Sequence, residues 1–414
     1  MSDYIFRLES RLSPDQLQLL VQVQQAAVGA HFHVFLAGGA VRDLDFSVEG
    51  PALKLVRQLD RRLFTVQSID EQRQSAELVF GGGATLEIAM CRAETYPKAG
   101  GKPEISPTTI QEDLRHRDFS VNAIALSLNP ASRGLLLDPT NGLADIERKE
   151  LRTLYNYSFY DDPSRLLRMV RLQARLKYTV EEKTRNHFEN AREAGVAEQI
   201  QPGSRLRELQ QLAEEPEMVQ AVKELGSAGL LDVFEPHLGK KLDIPILARL
   251  EKTRRLVESA GLRVDCFAPF LWSLTRKLSA GERTSLKTRV GLKGAEAKAW
   301  TELESQARAL QKTLTGKQMV LNSRLYEAVS AEDPAVALFL IAFSPLAEVR
   351  ERLKSYFAEL RPAASAVRDQ DIEELGVDRT SPKFEQVREA YVAARLDKKI
   401  NSKEDAAKVL AAYL

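Results

Sequence analysis

Cysteine is almost missing from this 414-residue chain: Cys91 and Cys266 are the only two, far apart, and they make neither a disulfide framework nor a zinc motif. The five histidines, His31, His33, His116, His187 and His237, show no metal-ligand spacing; His31 and His33 are expected to share the face of an ordinary half-buried strand. Charge of one sign is also lacking. The 59 Lys and Arg against 58 Asp and Glu leave a formal net charge of +1, so there is no global electrostatic case for nucleic acid, although a local basic face can still bind RNA. No apolar stretch is long enough to span a bilayer and the N-terminus lacks a signal-peptide core, which makes a reducing cytoplasm the default expectation and a membrane partner unexpected. Low-complexity tracts and fixed-period repeats are absent. What is present, 44% hydrophobic and 28% charged residues, is the composition of a globular chain, and its length implies two to four domains or subdomains.

The first part of the chain mixes periods. Pro14 to Val28 reads as a helix, Val34–Ala37 as a short apolar strand, and Ala52 to Leu63 as a helix with Leu53, Val56, Leu59 and Leu63 on one side. Ala76–Phe80 and Ala84–Met90 read as a hairpin around Gly81-Gly82-Gly83. Together they predict a small α/β or α+β domain ending near residue 150. Tyr96 to Pro107, rich in Pro, Gly and Lys, is expected to be a mobile loop. From Asp162 onward strand signals almost vanish and helical periodicity takes over, broken at Pro202-Gly203, Pro236, Gly261, Gly291, Pro345, Pro362 and Pro382.

Three clusters carry chemistry. In Phe35-Leu36-Ala37-Gly38-Gly39-Ala40-Val41-Arg42-Asp43-Leu44-Asp45-Phe46, an apolar run enters a Gly-Gly turn, an arginine follows, and two aspartates stand at i and i+2. On a strand those carboxylates share a face and repel unless a cation lies between them. Such oxygen ligands suit Mg²⁺, which takes one or two carboxylates plus substrate phosphates, and the glycine turn with Arg42 can approach a phosphate. An Asp-x-Asp alone is more often solvated turn chemistry. Glu87, between Leu86 and Ile88, is either a third carboxylate of the same site or a plain solvent-facing glutamate.

The second cluster is Glu112-Asp113-Leu114-Arg115-His116-Arg117-Asp118-Phe119-Ser120-Val121-Asn122-Ala123. Arg117 can clamp a triphosphate, while Asp118 and Asn122 can bond a ribose or fix the arginine; ordinary surface charges at a helix start are the other reading. In the third, Asp162 and Pro163 form an N-cap and first-turn pair, and Arg165, Arg168 and Arg171 follow at steps of three as a slanted basic ribbon. A basic ribbon is usually a solvated face. Here Asp162, acceptor only, precedes Arg165, donor only, by three residues, a pair able to match the edge of cytosine or adenine.

In this order the clusters resemble the class II tRNA nucleotidyltransferase and bacterial poly(A) polymerase family: Gly-Gly-x-Val-Arg with Asp-x-Asp, Arg-Asp-Phe-Ser-Val-Asn-Ala, and Asp-Pro-x-Arg-x-Leu-Arg-x-Val-Arg. Asp138–Ile146 resembles the family's linker into its neck, and segments at 371–377 and 394–397 its body and tail. The resemblance implies an α+β polymerase-β-like nucleotidyltransferase head over 1–150, followed by all-α parts: a neck over 151–235 for base recognition, then a body and tail over 236–414 for tRNA. It implies template-independent addition of CMP and AMP, from CTP and ATP, to the 3′ end of tRNA by two-metal chemistry. Asp43 and Asp45 would bind Mg²⁺ and act with Glu87. Gly38, Gly39, Arg42, Arg117, Asp118 and Asn122 would contact the nucleotide, Asp162 and Arg165 would read its base, and Arg168 and Arg171 would support it. Among Lys240, Lys241, Arg254, Arg255, Arg276, Lys277, Lys287, Arg289 and Lys293, a minority would touch tRNA.

Three departures stand out. The family has a helical turn and loop between Val-Arg-Asp and Asp-x-Asp, whereas here one aspartate, Asp43, serves both. Either the segment is deleted, or a disordered loop has been closed over; the room a chain needs between turn and strand favours the second. His116 stands where arginine is usual, and Asp161 where glutamate is commoner. The alternatives within the family are C-C-only or A-only addition and poly(A) synthesis; outside it, a catalytically inactive RNA-binding relative. A phosphohydrolase add-on is not expected, since the sequence contains no His-Asp doublet.

Overall fold

Four consecutive apolar residues, Val34 to Ala37, are all buried, which puts their strand inside a sheet with both faces covered. The computed structural model describes residues 3–38, 44–80, 85–98, 100–262, 264–316, 319, 321–400, 403–409 and 411. The chain divides into two compact units, 1–208 and 209–414.

In the first unit the strands are β1 (His33–Ala37), β2 (Leu44–Glu49), β3 (Phe64–Asp70), β4 (Ser75–Phe80), β5 (Thr85–Met90), β6 (Arg92–Thr95), β7 (Glu104–Pro107), β8 (Ala125–Ser127) and β9 (Leu136–Leu137). Seven of them form one sheet in the order β3-β4-β5-β2-β1-β8-β9. The β2–β5 ladder is parallel and its neighbours are antiparallel. Alternation along β1 feeds two cores. Val34 and Leu36 join Phe46, Val48, Leu78, Leu86 and Ile88 on one side, whereas Phe35 and Ala37 join Cys91, Leu114, Ala123 and Ala125 on the other.

The helix α2 (Pro14–Ala30), after the short α1 (Asp3–Glu9), buries Leu19, Leu20 and Val23 in the larger core. Ser13 starts it through a reciprocal capping box with Gln16, and His31 ends it in the left-handed region at φ 56°. His31 therefore belongs to a helix cap rather than to the strand face expected for it. Ala52 to Leu63 is helical only over α3 (Ala52–Val56), and turns follow it, among them one in which Asp60 accepts the Arg62 N–H. Leu53, Val56 and Leu59 are buried as the spacing requires. Of Tyr96–Pro107, expected to be a loop, only the end is strand: β7 pairs with β6 in a two-stranded ribbon, and the described residues from 96 to 103 that connect them carry no strand. In that connection Gly100, at φ +67°, donates to the carbonyls of Tyr160 and Asp161, and a Cβ there would lie 2.9 Å from Gln199 Cβ. The central glycines of the β4–β5 hairpin lie outside the described residues.

Beyond the sheet come α4 (Ile110–Arg115), α5 (Gly142–Arg148), α6 (Ser158–Asp161), α7 (Ser164–Leu176) and α8 (Glu182–Glu193). Strands β10 (Glu150–Leu151) and β11 (Thr179–Val180) pair in parallel. Helix α7 begins one residue after the expected start, with Asp162 Oδ1 accepting from the Ser164 N–H at 3.0 Å. The second unit is helical, with chain breaks near Pro236, Gly261, Gly291, Pro345 and Pro382 as expected. Pro362 is the exception. A π-helical turn over Tyr356–Leu360 leads into Arg361–Ser365, and Pro362 occupies the first turn of that piece, where its missing N–H costs little. Among the described residues no helix is long and apolar enough to cross a membrane.

The entry to α5 is a test of how tightly the head is closed. Asp138 accepts both the Gly142 and Leu143 N–H groups, and a Cβ on Gly142 would fall 2.1 Å from the Ser120 carbonyl oxygen. Because that obstacle is backbone, Gly142→Ala is expected to lower stability by about 2–3 kcal/mol. Chemical denaturation checks this, and an unchanged midpoint would show that the segment can yield.

Candidate active site

Asp45 lies between Leu44 and Phe46, each 1% exposed, so strand alternation turns its carboxylate away from the larger core. Glu87 stands directly beside it across the parallel β2–β5 ladder, exposed between the buried Leu86 and Ile88. One strand further, Glu77 pairs with Glu87 and accepts from Ser68 Oγ at 3.3 Å. Glu77 was not anticipated, although its alternation with Ala76 and Leu78 carried the signal. Gly39, Arg42 and Asp43 lie outside the described residues, and with them the fusion of two motifs at Asp43. Among the described residues no group of three or more His, Cys, Asp or Glu could hold a metal. Asp45 and Glu87 nonetheless supply two carboxylates adjacent in register, a donor set that suits a hard cation completing its shell with phosphate and water.

Gly38 closes β1 at φ +80°, a backbone state that disfavours any side chain. It faces both the first and second clusters: a Cβ there would lie 3.5 Å from Arg117 Nη1 and 3.6 Å from Asp45 Oδ2. Arg117 is held from three sides. Its Nε and Nη2 donate to Asp113 Oδ2 at 3.2 and 3.0 Å, Nη2 also to Ser47 Oγ at 3.0 Å, and Nη1 to the Asn122 carbonyl at 3.2 Å. These bonds engage four of the five guanidinium N–H groups. The remaining one, on Nη1, has no acceptor among the described residues and belongs to the atom nearest Gly38.

Asp118 fixes Arg168 rather than Arg117, the arginine expected for it from the sequence, which Asp113 holds instead. Its Oδ1 accepts from Asn122 Nδ2 at 3.0 Å and from the Phe119 N–H at 2.7 Å, and its Oδ2 accepts from Arg168 Nη1 at 2.9 Å. Arg168 continues to Glu208 at 2.9 Å, and Arg171 Nε donates to the same carboxylate at 3.3 Å. The basic ribbon is therefore not a solvated face. Arg165 and Arg171 are 5% and 6% exposed, and Glu208 is 3%. Burial by itself would raise the Asp118 pKa, but Arg168, then Arg165, and the Asn122 amide hold it at about 2. Burial also opposes the charge on Arg168, yet Glu208 and Asp118 outweigh it and move its pKa well above the usual arginine value.

Arg165 Nη1 donates to Tyr155 Oη at 3.0 Å and Ser158 Oγ at 2.7 Å, while Nη2 donates to the His116 carbonyl at 3.1 Å. Its buried Nε has no hydrogen-bond partner and lies 3.8 Å from Asp162 Oδ2. Asp162 Oδ1 is taken by the N–H and Oγ–H of Ser164, which leaves Oδ2 as the oxygen beside Arg165. His116, the departure from the family pattern, acts here through its carbonyl; its ring Nδ1 bonds the Glu112 carbonyl at 2.8 Å.

The described candidates for the nucleotide and metal site thus fall within the first unit, whereas the candidate tRNA contacts from Lys240 to Lys293 belong to the second. Asp118–Arg168 and Arg165–His116 join the second cluster to the third, and Arg117–Ser47 joins it to the first. Sequence reasoning missed Ser47, Asp113 and Glu208 as supports. Asp113 lay four residues before Arg117, a helical spacing that could have shown the pairing; Glu208, forty residues from Arg168, had no local signal.

Since folding lowers the Asp118 pKa to about 2, its ionisation favours the fold above the ordinary carboxylate range. The contribution, about 2 kcal/mol at neutral pH, is present above about pH 4 and lost as pH falls toward 2. Asp118→Asn should therefore be less stable than the parent at pH 7, by a gap that narrows below about pH 4. Urea denaturation across that range measures it, and a gap independent of pH would contradict the assignment.

Comparison with known proteins agrees with this fold. The family model for the poly A polymerase head domain matches residues 28–152. Over 400 residues the chain is 26% identical to the A-adding tRNA nucleotidyltransferase of Geobacter sulfurreducens, covering 94% of this chain and 45% of that relative. Over 406 residues it is 29% identical to the A-adding tRNA nucleotidyltransferase of Halalkalibacterium halodurans, covering 95% and 92%. The chain thus spans less than half the length of the first relative and most of the second. A solved CCA-adding enzyme, apo form II, matches with a TM-score of 0.54 and 25% identity, over 100% of this chain and 99% of that one. With a head of this fold over residues 28–152, a helical remainder and these likenesses along its length, the chain is similar to the tRNA nucleotidyltransferases and to the poly A polymerase head-domain family.

Proposed function

We propose that the chain adds CMP and AMP, from CTP and ATP, to the 3′ end of tRNA, building or repairing C-C-A without a nucleic-acid template. The observation that carries this reading is the pair Asp162 and Arg165. A carboxylate oxygen and a buried guanidinium Nε–H without a partner stand 3.8 Å apart, in the same unit as the Gly38–Asp45–Arg117 corner. Acceptor beside donor matches the amino group and ring nitrogen of cytosine or adenine, and a protein edge of this kind replaces a template.

In this reading Gly38, with Gly39 and Arg42 from the sequence, lets the triphosphate approach the backbone. Arg117, oriented by Asp113 and Ser47, presents its remaining Nη1–H to it. Asp43 and Asp45 would hold Mg²⁺, with Glu87 beside them. The ion, when bound, offsets phosphate charge and favours ionisation of the attacking hydroxyl. Asn122 and Asp118 keep Arg168 fixed under the base site, and Arg171 shares Glu208 with it. The head over 1–150 and the neck over 151–235 thus divide phosphate binding from base reading, and 236–414 is left to hold tRNA. A-only addition is the second reading, because the two relatives matched over 94% and 95% of this chain are both named A-adding.

The test supplies Mg²⁺, CTP and ATP with tRNAs ending before C-C-A, after C, and after C-C. The main reading predicts completion of all three. Incorporation of A only on the C-C end would establish the second reading; long A tails on unrelated RNA would indicate a poly(A) polymerase, and bound tRNA without incorporation an inactive relative. Asp45→Ala should reduce incorporation by roughly a thousandfold with tRNA binding retained. Arg165→Ala should reduce discrimination between C and A by roughly tenfold or more. Selection left intact in that variant would move base reading elsewhere.

A further inference from the structure

Within the second unit, four helices, Ile244–Ser259, Phe267–Thr275, Gly294–Leu314 and Pro334–Phe343, surround a cavity of ≈ 340 Å³. Its floor is aromatic. Trp272 meets Phe339 edge-to-face at a centroid distance of 4.8 Å and Phe343 at 4.9 Å with the planes tilted by 40°. Its rim is cationic: Arg249, Arg276 and Arg308 are exposed lining residues, and Glu304 is the one carboxylate among the lining residues. The Arg276 guanidinium lies 5.3 Å from the Trp272 ring centroid, and none of the three arginines has an ion-pair partner among the described residues. Elsewhere in this unit exposed arginines are commonly paired, as Arg255 is with Glu251 and Glu217, and Arg324 with Glu327. Gln311 sits in the wall with its Oε1 accepting from Ser344 Oγ at 2.7 Å, which leaves its amide N–H₂ without an acceptor among the described residues.

We infer that this cavity binds an unstacked nucleotide of an RNA strand, at a site separate from the one that carries Asp45 and Arg165. The volume is at the lower end of small-ligand pockets, enough for a base and its sugar. An apolar floor alone would take any flat hydrophobe. Three guanidinium groups around it, without an ion-pair partner among the described residues, select for a ligand that is flat at one end and polyanionic at the other. That is the form of a nucleotide within a chain, whose neighbouring phosphates reach the rim while the base meets the aromatic side chains. Arg276 against Trp272 adds a cationic plane on which a base can also stack. The amide N–H₂ of Gln311 can donate to a base carbonyl or ring nitrogen, which favours a base over a plain aromatic hydrocarbon.

The experiment uses the full wild-type chain and a single-stranded RNA octamer carrying one 4-thiouridine. After irradiation, adducts are mapped by mass spectrometry, and they are expected within 267–276 or 334–345. Adducts confined to residues 1–208 would overturn the inference, whatever the outcome for nucleotidyl transfer. Arg276→Ala with Arg308→Ala, both surface changes that spare the fold, should weaken octamer binding roughly tenfold. The same pair should lower the slope of log Kd against log salt by about 0.7 for each arginine removed. Octamer binding and crosslinks at the parent level in that double variant would also overturn it. AMP or CMP that protects the 267–276 segment as well as the octamer does would reassign the cavity to free nucleotides and contradict the RNA assignment.

Discussion

The buried network Asp118–Arg168–Glu208–Arg171 is the constraint on which the first unit's site depends. Removing two arginines and two carboxylates from water is unfavourable, and such charges persist inside only when each is paired and hydrogen-bonded. Here the pairing spans segments distant in sequence: Asp118 lies in the head's second motif, Arg168 and Arg171 lie on the helix after Asp162, and Glu208 comes forty residues after Arg168. A residue in the wrong register in any of the three would leave a charge alone. The network therefore sets where the Asp162–Arg165 pair stands relative to Arg117.

Holding a guanidinium rigidly is also what makes it selective. Arg117 has four of its N–H groups committed to protein acceptors, and Arg165 has three of five. The donors left over point where the scaffold puts them, and no side-chain freedom is lost when a ligand arrives. A long, unheld arginine would bind phosphate or base alike. The rim of the cavity in the second unit is the opposite design. Its exposed arginines have no ion-pair partner among the described residues, which suits a phosphate backbone met in many sequences and orientations.

How much of this could be read from the chain depended on the range of the interaction. The buried strand over Val34–Ala37, the Asp162 cap and the alternation that exposes Glu87 are local, and the side chains alone report them. Where a local rule met a competitor, the expectation shifted: a π-helical turn let Pro362 enter a helix. The ribbon of β6 and β7 was concealed by Pro and Gly in its connection. The basic ribbon read as solvated because burial is decided by elements that pack over it, and Glu208 gave no local sign of doing so. Strand β3 was missed because most of its residues are exposed at the sheet's edge, so it lacks a core-facing run.

The central claim is that one nucleotide bridges the Gly38–Arg117 corner and the Asp162–Arg165 pair. The most direct measurement is a crystal structure of the chain with Mg²⁺ and a non-hydrolysable CTP analogue. The account predicts phosphate oxygens at Arg117 Nη1 and beside Asp45, with the cytosine edge bonded to Asp162 Oδ2 and Arg165. A triphosphate seated elsewhere, or a base turned away from Asp162 with its phosphates at Arg117, would contradict it.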